Sequence, residues 1–113
     1  MLITVDYRVP SERARGFIAA MDTMRIFRRE GAISWGIFRD LADSDRYVET
    51  FLVTTWAEHL RQHDRVTVEA QAIEARAFSF QQEGVVPFAA HLIAARAYDD
   101  QIRAEPSYAE LTS

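Results

Sequence analysis

Three residue types are missing from the 113-residue chain: cysteine, lysine and asparagine. Without cysteine there is no disulfide, no thiolate nucleophile and no thiolate ligand for a metal ion. Because all 13 basic residues are arginine, no lysine can form a Schiff base with a substrate. The absence of asparagine also removes one side-chain amide that could hold a ligand. Catalysis through a thiolate or a lysine Schiff base is therefore excluded.

Long apolar runs and clusters of positive charge are also absent. No run reaches the roughly 18 apolar residues of a membrane-spanning helix, so we expect no membrane insertion. The net charge is −4, and the arginines form no basic stripe. This argues against nucleic-acid binding, because recognition of phosphates needs clustered cations. The first residues lack the basic segment and apolar run of a signal peptide, so we expect a cytoplasmic protein.

The apolar residues follow two periods, which predicts one α+β domain. The length suits a single domain, and an apolar fraction of 49% is ordinary for a globular protein. Alternation indicates strands, and a spacing of three to four residues indicates helices. The predicted elements are, in order, strand 2–9, helix 11–29, strand 32–39, strand 46–54, short helix 56–62, longer helix 64–80 and strand 88–95. Gly16 costs about 1 kcal/mol relative to alanine inside the first helix, and we expect that helix to approach the sheet there.

Polar residues and one glycine mark the predicted helix ends. Ser11 and Asp64 are predicted N-caps, because their side chains can accept a hydrogen bond from the first turn. Thr55 and Glu58 have the spacing of a capping box, which predicts the start of the short helix. Gly31 is predicted to end the first helix.

The element order predicts the ferredoxin-like βαββαβ arrangement, an antiparallel sheet with the helices on one face. The strands nevertheless carry apolar groups on both faces. One set contains Trp35, Ile37, Tyr47 and Phe51, and the other contains Phe38, Val48, Thr50 and Leu52. The alternation does not say which set meets the helices. The uncovered set would be a large apolar patch, so we expect a second copy to cover it in a symmetric homodimer.

Several motifs in this pattern resemble one group of bacterial proteins. They are Ser34-Trp35-Gly36, Arg39-Asp40, Tyr47-Val48-Glu49-Thr50-Phe51, Trp56-Ala57-Glu58-His59-Leu60-Arg61-Gln62-His63, Arg65-Val66-Thr67 and His91-Leu92-Ile93-Ala94. Together they resemble a soluble domain found behind the transmembrane bundle of some bacterial major facilitator superfamily transporters. That domain is similar to the antibiotic biosynthesis monooxygenase group. The resemblance implies a dimeric α+β barrel over residues 1–95, and residues 96–113 are interpreted as a tail that docks through Tyr98 or Tyr108.

The resemblance implies no single activity, because the group includes cofactor-free oxygenases, haem-degrading enzymes, isomerases and domains of no known reaction. We expect a homodimeric domain that binds a small aromatic ligand and needs no cofactor. The alternative is a cofactor-independent small-molecule monooxygenase, which would need a dry pocket, a base and donors for a developing oxyanion. Haem degradation is discounted, since relatives with that activity use an asparagine.

A histidine pair is the first candidate functional site. His59 and His63 are four residues apart on a predicted helix, and such a pair can chelate a divalent metal ion. No acid or third histidine is adjacent in sequence, and His91 would have to approach through folding. Because a site needs three or four placed ligands, we predict that no metal is bound. The alternative interpretation is a polar helix face bonded to a neighbouring strand.

Aromatic residues form the second candidate site. Trp35 and Trp56 would line a pocket for a planar apolar ligand, or they would pack in the core. The proposed ligand-binding residues are Trp35, Arg39, Phe51, Trp56, His59 and His63, and the catalytic candidates are His59, His63 and Tyr47.

Glu49 lies on the same strand face as Tyr47 and Phe51. A carboxylate among apolar groups could act as a base. We expect instead that Glu49 forms an ion pair with Arg39 or Arg46 at the hairpin.

Overall fold

The computed structural model describes residues 1–29, 31–64 and 67–95, with the backbone alone for residues 62–64. Its elements are, in chain order, β1 (Leu2–Arg8), α1 (Ala14–Arg28), β2 (Ala32–Arg39), β3 (Arg46–Val53), α2 (Trp56–Asp64), α3 (Val68–Phe78) and β4 (Phe88–Leu92). A 3-10 turn, Ser11–Arg13, precedes α1. The predicted tail, with Tyr98 and Tyr108, lies outside the described residues.

The four strands form one antiparallel sheet in the order β2-β3-β1-β4. The first and third strands of the chain therefore lie at the centre, and β2 and β4 are the edges. The core joins this sheet to α1 and α3 on one face. This is the ferredoxin-like α+β fold, so the predicted fold class is confirmed.

The helix ends agree with the sequence prediction only in part. Gly31 follows α1 with a φ of 82°, the left-handed conformation that glycine favours at a helix end. Ser11 does not cap a helix through its side chain, because it begins the 3-10 turn. Asp64 is not a cap either, since α2 continues through it. Thr67 caps α3 instead, because its backbone is extended and its Oγ1 accepts from the Ala70 N–H at 3.0 Å.

The first alternating set of strand residues faces the helices. The buried core on this face consists of Ile3, Val5, Tyr7, Val9, Phe17, Ala20, Met21, Met24, Tyr47, Phe51, Val53 and Ala77. Trp35 and Ile37 of β2 pack against it. The structure thus answers the question that the alternation left open, because the side chains of α1 meet the Tyr47 and Phe51 set.

The second alternating set forms the surface that we call the open sheet face. It contains Leu2, Thr4, Asp6, Phe38, Val48, Thr50, Leu52, Phe88, Ala90 and Leu92, which occupy opposed positions in the register of the four strands. Phe38 is 59% exposed and Phe88 is 69% exposed. At one end, Arg46 pairs with Asp6 at 3.2 Å and with Asp40 at 2.9 Å. In the described part of the chain this face therefore presents large apolar groups to solvent.

The close packing at Gly16 involves a different neighbour from the one expected. A Cβ atom placed on Gly16 would lie 2.9 Å from Cζ of Phe80 and nearer still to its Cε1. The ring of Phe80 packs against the core after α3, so α1 is approached by this ring and not by the sheet. The glycine keeps α1 and the end of α3 in contact.

We predict that Gly16→Ala lowers the free energy of unfolding by about 1 kcal/mol or more, because overpacking outweighs the roughly 1 kcal/mol that alanine contributes to a helix. Urea unfolding measures this. In the double variant with Phe80→Leu, the loss should be smaller than the sum of the two single losses, since the smaller side chain relieves the conflict. A Gly16→Ala protein more stable than the parent would contradict the packing argument.

Candidate functional site

A row of side chains crosses the helix-facing side of the sheet. Trp35 of β2 lies opposite Phe51 of β3, Phe51 lies opposite Ile3 of β1, and Ile3 lies opposite His91 of β4. Since opposed residues of antiparallel strands carry their side chains on the same face, the row runs from one sheet edge to the other. It brings an indole, a phenyl ring and an imidazole to the same side as the helices.

The first turn of α2 adds two more rings. The Thr55 Oγ1 accepts from the Glu58 N–H at 3.1 Å, which fixes the start of the helix as the capping box predicted. Trp56 and His59 are three residues apart, so they lie on neighbouring positions of one helix face. Their ring centroids are 5.5 Å apart.

These groups form what we call the aromatic–imidazole cluster: Phe51, Trp56, His59 and His91. The His91 ring meets Trp56 edge-on at 5.1 Å and lies 5.4 Å from His59. Phe51 lies 6.3 Å from His59. Three separate elements, β3, α2 and β4, therefore converge on one cluster that can contact a planar ring and donate or accept hydrogen bonds.

Partial burial favours the neutral form of one imidazole in the cluster. It lowers the pKa of His91 below its ordinary value of 6.5. His91 is therefore neutral at neutral pH, with one nitrogen donating and the other accepting. A neutral imidazole can hydrogen-bond a ligand oxygen or take up a proton.

A buried carboxylate lies beside the cluster. Glu49 is completely buried, and both of its oxygens are occupied. Its Oε1 accepts from the Tyr7 hydroxyl at 2.8 Å, and its Oε2 accepts from Trp35 Nε1 at 2.8 Å and from Arg28 Nε at 3.0 Å. Three donors, one of them cationic, match an ionised carboxylate. A group held in this way is bound in structure and poorly placed to act as a base.

The buried carboxylate of Glu49 shifts the pKa values of two of its partners, Tyr7 and Arg28. Burial, together with the Glu49 carboxylate, raises the pKa of Tyr7 far above its usual range, so its hydroxyl remains a donor. Burial favours a lower pKa for Arg28, but the adjacent carboxylate outweighs it, and the pKa lies above its usual value. Arg28 also pairs with Glu74 at 3.3 Å and places Cζ 5.3 Å from the centroid of the Phe51 ring.

Glu49 pairs with an arginine as predicted, but the partner is Arg28 and neither Arg39 nor Arg46. Arg46 binds Asp6 and Asp40, because its position in β3 points to the open sheet face. Arg39 is exposed and lies opposite Tyr47, at the other end of the strand pair from Phe51. Arg28 reaches the carboxylate from the last turn of α1, which no strand pattern indicates.

The structure brings together only some of the predicted site residues. Phe51, Trp56 and His59 are in the cluster, and Trp35 adjoins it because it lies opposite Phe51 in the sheet. Tyr47 is buried against Phe17, with ring centroids 5.3 Å apart, so it is part of the core. The side chain of His63 lies outside the described residues. Within the described residues, no three His, Cys, Asp or Glu side chains come close enough together to hold a metal ion.

Sequence reasoning missed the groups that surround the carboxylate. Tyr7 lies in the predicted strand 2–9, and Arg28 and Glu74 lie in predicted helices, but no pattern in the sequence brings them together at Glu49. A glutamate at a core position of β3 was the available signal, because a buried carboxylate requires donors and a cation from neighbouring elements.

Solved structures of other proteins share this fold. SnoaB from Streptomyces nogalater, described as a cofactor-independent oxygenase, matches with a TM-score of 0.68 and 11% identity, covering 87% of this chain and 95% of that one. A protein from Caulobacter crescentus CB15, assigned as an antibiotic biosynthesis monooxygenase, gives 0.70 and 13%, covering 84% and 89%. A conserved protein from Methanosarcina mazei Go1 gives 0.63 and 10%, covering 79% and 88%. At these identities the likeness defines a class of fold, the α+β domains of the antibiotic biosynthesis monooxygenase type.

The family of the chain follows from its sequence. Residues 1–98 match the family described as transmembrane secretion effector, and the chain belongs to that family. No curated protein matches the sequence. Among the residues that the structure describes, no helix is long and apolar enough to cross a membrane.

The partly buried imidazole of His91 gives a testable pH dependence. Because the folded-state pKa of His91 lies below 6.5, its contribution to stability is present above that value and is lost as the pH falls below it. We predict that the free energy of unfolding in urea falls between about pH 7.5 and about pH 5.5, and that this fall is smaller in His91→Gln. Equal pH slopes in the two proteins would show that His91 titrates as it does in the unfolded chain.

Proposed function

We propose that the chain is a homodimeric binding domain that takes a small planar aromatic ligand at the aromatic–imidazole cluster. The observation that supports this most is the convergence of Trp56, His59 and His91, whose rings lie 5.1–5.5 Å apart. A cluster built from three elements presents ring faces and edges to a planar ligand. Its imidazoles can form hydrogen bonds with a hydroxyl or carbonyl of that ligand.

The chemistry of the neighbouring carboxylate favours binding over catalysis. Glu49 already accepts three hydrogen bonds, so ligand recognition falls to the imidazoles and the rings. The ligand we propose is therefore neutral and planar, with an oxygen that meets His59 or His91. No cofactor is part of the proposal.

The open sheet face supports the proposal of a homodimer. Leu2, Leu52 and Leu92 lie at opposed positions on three neighbouring strands, and Phe38 and Phe88 lie further along the same face. Covering apolar surface is worth about 25 cal/mol per Å², and a stable obligate contact buries about 2,000 Å² or more in total. A second sheet placed against this one would cover the side chains that α1 and α3 leave exposed.

Family membership supports a role beside a transporter. The name of the family, transmembrane secretion effector, refers to export across a membrane. We propose that this domain binds its ligand in the cytoplasm, next to a membrane-embedded transporter. Its ligand would then belong to the same chemical class as the exported molecule.

A cofactor-independent monooxygenase is the second candidate function. The shared fold with SnoaB and the neutral imidazole of His91 favour it. The imidazole would take a proton from an acidic phenol or quinol, and a ring carbon of the resulting anion would bond to molecular oxygen to give a hydroperoxide. Loss of water from the hydroperoxide would break its O–O bond and leave one oxygen atom on the ring as a quinone carbonyl, so the substrate supplies all the electrons. Tyr47 does not contribute in this scheme, because it is buried against Phe17. Oxygen uptake with a quinol substrate, abolished by His91→Gln, would favour this candidate.

We predict that 2-naphthol binds to the cluster and that Trp56→Ala weakens its binding about tenfold, the value of one aromatic contact. Isothermal titration and chemical-shift changes at His59 and His91 measure this. Leu41→Ala is the control, because it truncates a 99% exposed apolar side chain in the turn between β2 and β3, outside both the cluster and the open sheet face. Equal losses in the two variants would contradict a site at the cluster.

The homodimer gives a separate prediction. Leu52→Asp places a charge on the open sheet face and should convert the dimer to a folded monomer, because a buried unpaired charge opposes association. Sedimentation velocity and circular dichroism measure mass and folding. Ala75→Asp, on the exposed side of α3, should remain dimeric. If the parent protein sediments as a folded monomer at micromolar concentration, the dimer is refuted.

A further inference from the structure

We propose that Arg28 is a positioning residue for the ligand site, because it fixes the wall formed by Phe51, a member of the aromatic–imidazole cluster, and by Trp35, which lies opposite Phe51 in the sheet. This inference rests on the proposed function. Arg28 need not touch the ligand. It acts through Glu49 on one ring and directly on the other.

The first contact orients the indole of Trp35. Arg28 Nε and Trp35 Nε1 donate to the same oxygen, Oε2 of Glu49, at 3.0 Å and 2.8 Å. The Tyr7 hydroxyl holds the other oxygen at 2.8 Å. Because the carboxylate is completely buried, its orientation depends on these three donors, and removing the cation leaves it with two neutral ones.

The second contact holds the ring of Phe51. The Arg28 guanidinium lies over this ring with Cζ 5.3 Å from its centroid, within the range of a cation–π interaction. Phe51 is directly opposite Trp35 in the sheet and 6.3 Å from the His59 ring. Arg28 of α1 therefore binds the carboxylate that holds the Trp35 indole, and it also packs directly on the ring of Phe51.

A third contact fixes Arg28 itself. Its Nη2 meets Glu74 of α3 at 3.3 Å, and the Glu74 side chain is 40% exposed while that of Arg28 is 23% exposed. The guanidinium thus bridges the buried carboxylate of Glu49 and the carboxylate of Glu74 at the surface. Since α1 and α3 pack side by side, the wall is tied to both long helices.

Fixed rings increase affinity because binding then orders fewer side chains. If Arg28 is replaced, the side chains of Trp35 and Phe51 gain conformational freedom, and ligand binding then has to order them. The expected result is weaker binding by a protein that remains folded.

The first test needs no ligand. In the full chain labelled with nitrogen-15, we expect the indole N–H of Trp35 to exchange with solvent about tenfold or more faster in Arg28→Met than in the parent, since its acceptor is less well held. Arg28→Lys should be intermediate, because it keeps the charge and loses the planar fork. Arg25→Met, one turn earlier and exposed, is the control and should match the parent. Exchange at the parental rate in Arg28→Met would overturn the inference.

The second test measures affinity for 2-naphthol by titration. Arg28→Met should bind about tenfold more weakly than the parent, which is about 1.4 kcal/mol. Parental affinity in this variant would overturn the inference and leave the proposed function standing. If the parent does not bind but the exchange effect is present, the proposed function fails, and the result supports only that Arg28 fixes the indole of Trp35.

Should Arg28→Met fail to fold, Glu74→Gln provides the decisive variant. It weakens only the partly exposed end of the contact and leaves the buried pair intact. The Trp35 indole N–H should exchange faster than in the parent, and the increase should be smaller than the tenfold expected for Arg28→Met. No change in exchange in Glu74→Gln would overturn the inference.

Discussion

A carboxylate with no access to solvent constrains the centre of this fold. Glu49 of β3 is completely buried, and β1, β2 and α1 each supply a donor to its carboxylate. Its hydrogen bonds therefore fix how three strands and one helix meet. The aromatic row depends on this arrangement, because Trp35 donates to Glu49 and the ring of Phe51 lies under the Arg28 guanidinium.

The strand pattern predicted the bounds of the strands well, but it did not predict which face of the sheet meets the helices. Alternation placed β2 at residues 32–39, where the structure has it, and predicted the starts of β3 and β4. Both faces of β3 are apolar, so the same alternation could not say which set meets the helices. That choice depends on α1, whose buried residues complement Tyr47 and Phe51. The end of β4 was predicted three residues late, since an apolar run carries no sign of where pairing stops.

The site was predictable to the extent that it is local. Trp56 and His59 follow from a capping box and helical spacing, and both lie where the short helix places them. His91 needed the sheet order, because only the pairing of β4 with β1 brings it to the same end as α2. Arg28 was not predictable from its own segment, since an arginine in a last helical turn is usually solvated and favoured by the helix dipole. Its role follows from the carboxylate that requires it.

The two faces of the sheet carry different kinds of side chain, and in the proposed function this separates the surface for assembly from the site for ligand binding. The helix-facing side holds every described histidine ring contact and the buried ionic network, while the open face carries leucine, phenylalanine and threonine with one charged end. A contact between copies through the open face would therefore leave the cluster accessible in each copy. The central strands β1 and β3 contribute to both faces, so a change that shifts their register by one residue would exchange the two sets and disrupt the cluster and the open sheet face together. The hydrogen bonds to Glu49 oppose such a shift, because a slipped β3 would carry the carboxylate to the open face and away from Arg28.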